Sequence, residues 1–211
     1  MQLLVGSDLA ELAAGWIAGR ASAFSPFRIA LAGGGTPEEV YERLAELDLD
    51  WASWHVWWSD EREVPPDHED SNERMARRAL LDRVPVPEEQ VHPLRSPDVE
   101  LPDRFDLVLL GVGPDGHCAS LFPGDPALAA TEPVVRVPEP GLPPKHPRLT
   151  FTYTLLDGAR ATAFLVGGET KRDIAERVLA GDETLPAARV RAPLTVWLTD
   201  EAAAPRTRDP R

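Results

Sequence analysis

Residues 105–124 read FDLVLLGVGPDGHCASLFPG. From Leu107 to Leu110 every side chain is apolar, with no polar alternation. A strand built this way is covered on both faces, as in a parallel sheet packed between helices. The loop that follows carries glycines, a proline, Asp115 and His117. Core packing does not require such a loop. In open α/β sheets, ligands sit beyond the carboxyl ends of the strands, so the segment predicts a fold and a site together.

Working outward, QLLVG (2–6), FRIALAG (27–33), WHVWWS (54–59), RLTFTY (148–153), TAFLVGG (162–168) and LTVWLT (194–199) read as further strands. Helices are predicted over about 8–23 with Ser7 as cap, from a Thr36 cap to about 47, over about 72–83 after Ser71, and from Glu169 to Ala180. Strands alternating with helices give an α/β class: a modified doubly wound, largely parallel sheet with helices on both faces. At 211 residues the expectation is a single domain over 1–211, with 205–211 as a frayed tail. Of the 22 prolines, eleven cluster at 85–102 and 133–147, which read as ordered surface connections.

Three unusual clusters each follow a predicted strand. Gly33-Gly34-Gly35-Thr36 lets the backbone approach an anion at a helix N-terminus. It also reads as a tight, well-capped turn, and Glu38 and Glu39 favour that reading because they already complement the helix dipole. Ser59-Asp60-Glu61-Arg62 is either a solvated turn or a place where Arg62 offers a charged fork to phosphate. Ser71 and Asn72 are a plain cap or pocket lining. In Gly113-Pro114-Asp115-Gly116-His117, a neutral imidazole can accept a proton near neutral pH and a carboxylate can fix its tautomer. The other reading is an exposed loop histidine. Lys171 is either a solvated helix lysine or added charge for phosphate.

The formal net charge of −13 repels nucleic acid and anionic membrane. It also obliges any anionic ligand to rely on local cations. The single Cys118 excludes an intrachain disulfide, and its neighbour His117 is poorly placed to activate it. His55, His68, His92 and His146 show no metal-ligand spacing in the sequence. No apolar run of about 18 residues is present, and no signal-peptide pattern opens the chain. A cytoplasmic protein without metal or cofactor is expected, as a monomer or small homo-oligomer.

LAGGGTP (31–37), SDEREVPPDHEDSN (59–72), the 105–124 segment, PPKHPRLTFTYTLLDGAR (143–160), GGETKRD (167–173) and PAARV (186–190) occur in order. Together they resemble the 6-phosphogluconolactonase family over nearly the whole chain. The resemblance implies metal-free hydrolysis of a sugar-phosphate lactone. It implies His117 as general base beside Asp115, Arg62 and Lys171 on the phosphate, and the 33–36 loop against the substrate. Two positions depart from the family pattern. Gly35 stands where serine is common, and Cys118 where threonine is common.

Two other functions compete. A related isomerase/deaminase family acting on glucosamine 6-phosphate shares the fold and a DGH-type loop, but it needs an additional acid–base carboxylate. Here the corresponding segment reads DER, and the chain is short for that family. A non-catalytic sugar-phosphate sensor would normally carry a basic DNA-binding segment, and none is visible.

Overall fold

In the computed structural model, residues 1–206 are described. The expected tail beyond 206 lies outside the described residues. The elements run β1 (Gln2–Gly6), α1 (Leu9–Ala21), β2 (Phe27–Leu31), α2 (Gly35–Leu44), β3 (Trp54–Trp58), β4 (Asp60–Arg62) and α3 (Asn72–Ala76). They continue with β5 (Leu107–Leu110), β6 (Val134–Val137), β7 (Arg148–Phe151), α4 (Tyr153–Gly158), β8 (Thr162–Val166), α5 (Arg172–Leu179) and β9 (Thr195–Asp200).

Six strands form one parallel sheet in the order β1-β9-β8-β5-β2-β3. The middle strands β5 and β8 are buried at every residue, so both faces of the sheet are covered. This is the arrangement that the unbroken apolar runs predict. From β2 the chain proceeds outward to β3; from β5 it proceeds the other way, to β8. The order therefore reverses between β2 and β5, and their carboxyl ends open into one crevice.

A second, three-stranded antiparallel sheet, β4-β7-β6, was not anticipated. The SDER turn is its strand β4, with Asp60 opposite Thr150 and Arg62 opposite Arg148. Part of the proline-rich 133–147 connection is its strand β6. β4 is made of three charged residues and β6 lies in a proline-rich stretch, so neither shows the apolar run that marks the other strands. RLTFTY belongs to this sheet rather than to the parallel one.

The helix starts also differ. Asp8, not Ser7, caps α1, accepting the Glu11 N–H at 3.0 Å. Gly34, not Thr36, occupies the cap of α2, because its φ of 104° turns the chain into the helix two residues earlier. The 169–180 helix begins as a short 3-10 turn at Glu169–Lys171, and Lys171 precedes α5 proper. Ser71 does cap α3, through the Arg74 N–H, and the helix continues as a wider π-type turn over Arg77–Leu81.

One buried side chain ties α2 to the start of the glycine loop. The Tyr41 hydroxyl donates to the Ala32 carbonyl at 2.9 Å and accepts the Ala32 N–H at 2.8 Å. Burial pushes this phenol far above its ordinary pKa. Replacing it, Tyr41→Phe, leaves both backbone groups unpaired in the core. We expect a loss of about 1–3 kcal/mol, read as a lower urea midpoint at unchanged m-value.

Candidate active site

The crevice between β2 and β5 is a cleft of about 250 Å³, lined by residues of several separate segments. Its walls come from Gly33 and Gly34 after β2, from Asp60, Arg62 and Asn72, from Gly113 and His117 after β5, and from Lys171. All eight were singled out from the sequence. Arg148 and Ala119 also line it and were not.

The imidazole of His117 is held from behind. Its Nδ1 lies 2.6 Å from Asp115 Oδ1, and the His117 N–H donates to the same oxygen at 3.2 Å. Burial works against the Asp115 carboxylate, but these hydrogen bonds and the imidazole outweigh it and hold its pKa below the ordinary value. An ionised carboxylate only accepts, so Nδ1 carries the proton and Nε2 is left as the acceptor. The ring occupies space that only glycine frees. A Cβ on Gly113 would stand 2.0 Å from His117 Nδ1 and 2.7 Å from Asp115 Oδ1.

The opposite wall rests on a buried carboxylate. Glu61 accepts the N–H groups of Arg62, Asn72 and Glu73 at 2.7, 2.8 and 2.6 Å, and the Ser71 hydroxyl at 3.1 Å. Burial raises its pKa while those N–H donors pull it back. This clamp locks β4 onto the start of α3 and so fixes Arg62 and Asn72. Asn72 in turn donates to the Asp60 carbonyl at 2.9 Å and presses on Gly33, where a Cβ would lie 1.9 Å from its Oδ1. The Asp60 carboxylate is buried and accepts the Ser120 hydroxyl at 2.7 Å. It is an ordered part of the wall, not a solvated turn.

The cations of the cleft are held by backbone carbonyls. Arg77 pairs with Glu73 and Glu88, and Arg160 with Asp106. Among the described residues, Arg62, Arg148 and Lys171 form no ion pair with a carboxylate. Arg62 donates to the Asp70 carbonyl at 2.6 Å, Arg148 to the Pro144 carbonyl at 2.9 Å, and Lys171 to the Val112 carbonyl at 2.7 Å. The Nε atoms of Arg62 and Arg148 are buried without a partner. Burial lowers the pKa of both Arg148 and Lys171. The Phe122 ring packs against the His117 ring at 4.5 Å, and the Arg148 guanidinium lies over it at 5.5 Å.

Four expected site residues lie off this cleft. Gly35 and Ser71 border a neighbouring depression with Arg74 and Arg78. Thr36 sits within the first turn of α2. Gly116 backs onto Leu185, away from the opening. The reason is the early start of α2, which carries Gly35 and Thr36 into the helix, and the turn at 113–117, which points Gly116 inward. Asp115 acts on the cleft only through His117. Cys118 is fully buried and its thiol pKa is raised by burial, so it takes no part. His68 and His146, which showed no ligand spacing, meet around Asp70. A 78-residue gap hides such a meeting from the sequence.

The comparisons agree with this geometry. Residues 5–197 match the family model described as glucosamine-6-phosphate isomerases/6-phosphogluconolactonase. A 6-phosphogluconolactonase of Synechocystis sp. is 40% identical, the alignment covering 83% of this chain and 82% of the relative. One from Haemophilus influenzae is 34% identical over 84% and 86%. The crystal structure of 6-phosphogluconolactonase from Thermotoga maritima superposes with a TM-score of 0.85 at 32% identity, over 95% of this chain and 99% of that one. A monomeric glucosamine-6-phosphate deaminase shares the fold with a TM-score of 0.78 at 19% identity, covering 96% and 98%, and shows no more than the fold. The family model spans most of the chain, and the chain belongs to the glucosamine-6-phosphate isomerase/6-phosphogluconolactonase family.

Proposed function

We propose that the chain hydrolyses 6-phospho-D-glucono-1,5-lactone to 6-phospho-D-gluconate, the lactone-opening step of the oxidative pentose phosphate pathway. The observation that carries this reading is one cleft that holds both an Asp115–His117 dyad and arginines with no counter-ion. A neutral imidazole backed by a carboxylate is a general base. A guanidinium held in a cleft without a carboxylate partner gains charge-assisted hydrogen bonds when an anion enters. The two halves match a substrate with an ester at one end and a phosphate at the other.

In this mechanism Arg62 and Arg148 grip the phosphate, and Lys171 adds charge on the side nearer Asp115. Remote binding holds the ring so that its carbonyl faces His117. Nε2 of His117 takes a proton from water as the water oxygen adds to C1. The tetrahedral intermediate then collapses, the bond from C1 to the ring oxygen breaks, and the proton passes from His117 to that oxygen. The product carboxyl ionises in water. Asp115 keeps the imidazole in the productive tautomer and stabilises its charged form. Its depressed pKa matters for the pH dependence. The stabilisation it contributes is present above the ordinary carboxylate pKa and is lost only as pH falls through the lowered value.

The test is lactone hydrolysis measured against the spontaneous background. His117→Ala is expected to lower kcat by about 10²–10⁴-fold with little change in KM. Unchanged turnover in that protein would exclude His117 as base, and no turnover by the wild type would exclude the activity. Arg148→Met is expected to act on the other parameter, raising KM by at least about tenfold through loss of a charge-assisted hydrogen bond worth about 1.5–3 kcal/mol. Gly113→Ala, which adds a single methyl group, is expected to resemble His117→Ala in kcat while the protein still melts cooperatively. Wild-type kcat in that variant would show that the ring does not need its observed seat.

A further inference from the structure

Outside the cleft, metal-ligating side chains converge from two segments. His68 and Asp70 lie between β4 and α3, and His146 lies just before β7. Their donor atoms all fall within 4.8 Å of one another. His146 Nε2 is 2.8 Å from Asp70 Oδ2, and His68 Nδ1 is 3.9 Å from the same oxygen. Ligands about 2.0–2.2 Å from a tetrahedral zinc ion stand about 3.4 Å apart, and these two separations straddle that value. The side chains are each about one-third exposed, at 36%, 33% and 34%, so an ion has an entry path. The two rings meet edge to face at 5.3 Å.

We propose that His68, Asp70 and His146 bind a divalent transition ion of the zinc type at the lip of the cleft, and that the ion braces the two segments that carry its arginines. Two imidazoles and a carboxylate, with a fourth position left to water, suit zinc better than the hard, oxygen-seeking magnesium or calcium. Ligation replaces two existing contacts. His68 Nδ1 gives up the Asp70 N–H it accepts at 3.1 Å, and His146 gives up its hydrogen bond to Asp70.

The bracing follows from what these residues already hold. The carbonyl of Asp70 itself receives Arg62 Nη1 at 2.6 Å. His146 lies within the short loop that Arg148 closes by donating to the Pro144 carbonyl. An ion shared by the two segments joins the support of Arg62 to the support of Arg148. It touches neither His117 nor Asp115, so its effect falls on substrate affinity. This second half rests on the lactonase reading; the binding of the ion does not.

The experiment is titration of the metal-free full-length protein with zinc chloride by calorimetry, alongside thermal melting. The wild type and His117→Ala are expected to bind one zinc per chain and to melt higher with it. His68→Ala/His146→Ala is expected to lose at least about tenfold in affinity, the least that disturbing a metal's coordination usually costs, and to lose the melting shift. His146→Gln, which retains a donor for Asp70, provides a folded comparison if the double variant melts early, and the same loss is expected in it. Absence of wild-type binding up to millimolar zinc overturns the site. So does full-affinity binding in folded His68→Ala/His146→Ala or His146→Gln, and so does binding lost only in His117→Ala. In the lactone assay, saturating zinc is expected to change KM but not kcat, and to do neither in His146→Gln. An unchanged wild-type KM with zinc bound refutes the bracing.

Discussion

β2 and β5 run side by side, Ile29 opposite Leu107 and Ala30 opposite Val108, and the chain leaves that pair in opposite directions. Two loops must then diverge above adjacent strands, and the space between them cannot be filled by either. Everything in the site is placed relative to that gap. The 33–34 loop forms one bank and the 111–117 loop the other. The small sheet β4-β7-β6 stands at its end and delivers Arg62 and Arg148 from neighbouring, register-paired positions. Without the reversal of strand order, the glycine loop and the histidine loop would not face a common space.

Close approach and charge then divide the cleft. On both walls, side chains are pressed onto bare backbone: His117 onto Gly113, and Asn72 onto Gly33. These contacts hold functional groups without needing long side chains to freeze out rotamers. Beside Asn72, like charges are brought together. Arg62 lowers the pKa of Arg148, after burial as the main cause and against the pull of Asp60. In a chain of net charge −13, arginines that form no ion pair set a local reversal of charge into the cleft. At physiological salt, screening over about 8 Å lets that reversal stand within the cleft even though the surroundings are acidic.

The parallel sheet was legible because its inner strands are unbroken apolar runs. FDLVLLG and TAFLVGG could hardly be read otherwise. The second sheet was hidden for the converse reason: β4 is three residues long and its two acidic members resemble a turn. Their burial is decided by Asn72, Ser71 and Ser120, which come from elsewhere in the chain. Eight of the expected site residues do line the cleft. Arg148 was missed although its segment was noticed, because a single arginine inside RLTFTY looks like an ordinary strand end. An available signal was the pairing of that strand with DER, which needs tertiary information. Thr36 was over-read for a local reason, since capping-box spacing outweighed a glycine that could start the helix sooner.

The turn after His117 holds one more consequence. Cys118 has no solvent exposure, and its thiol is further from ionising than a free one. It sits next to the base in sequence but faces the core. An alkylating reagent can reach this sulfur only when the segment opens, so the rate of labelling reports how often that happens. The lone thiol is therefore a built-in clock for the breathing of the loop beside it.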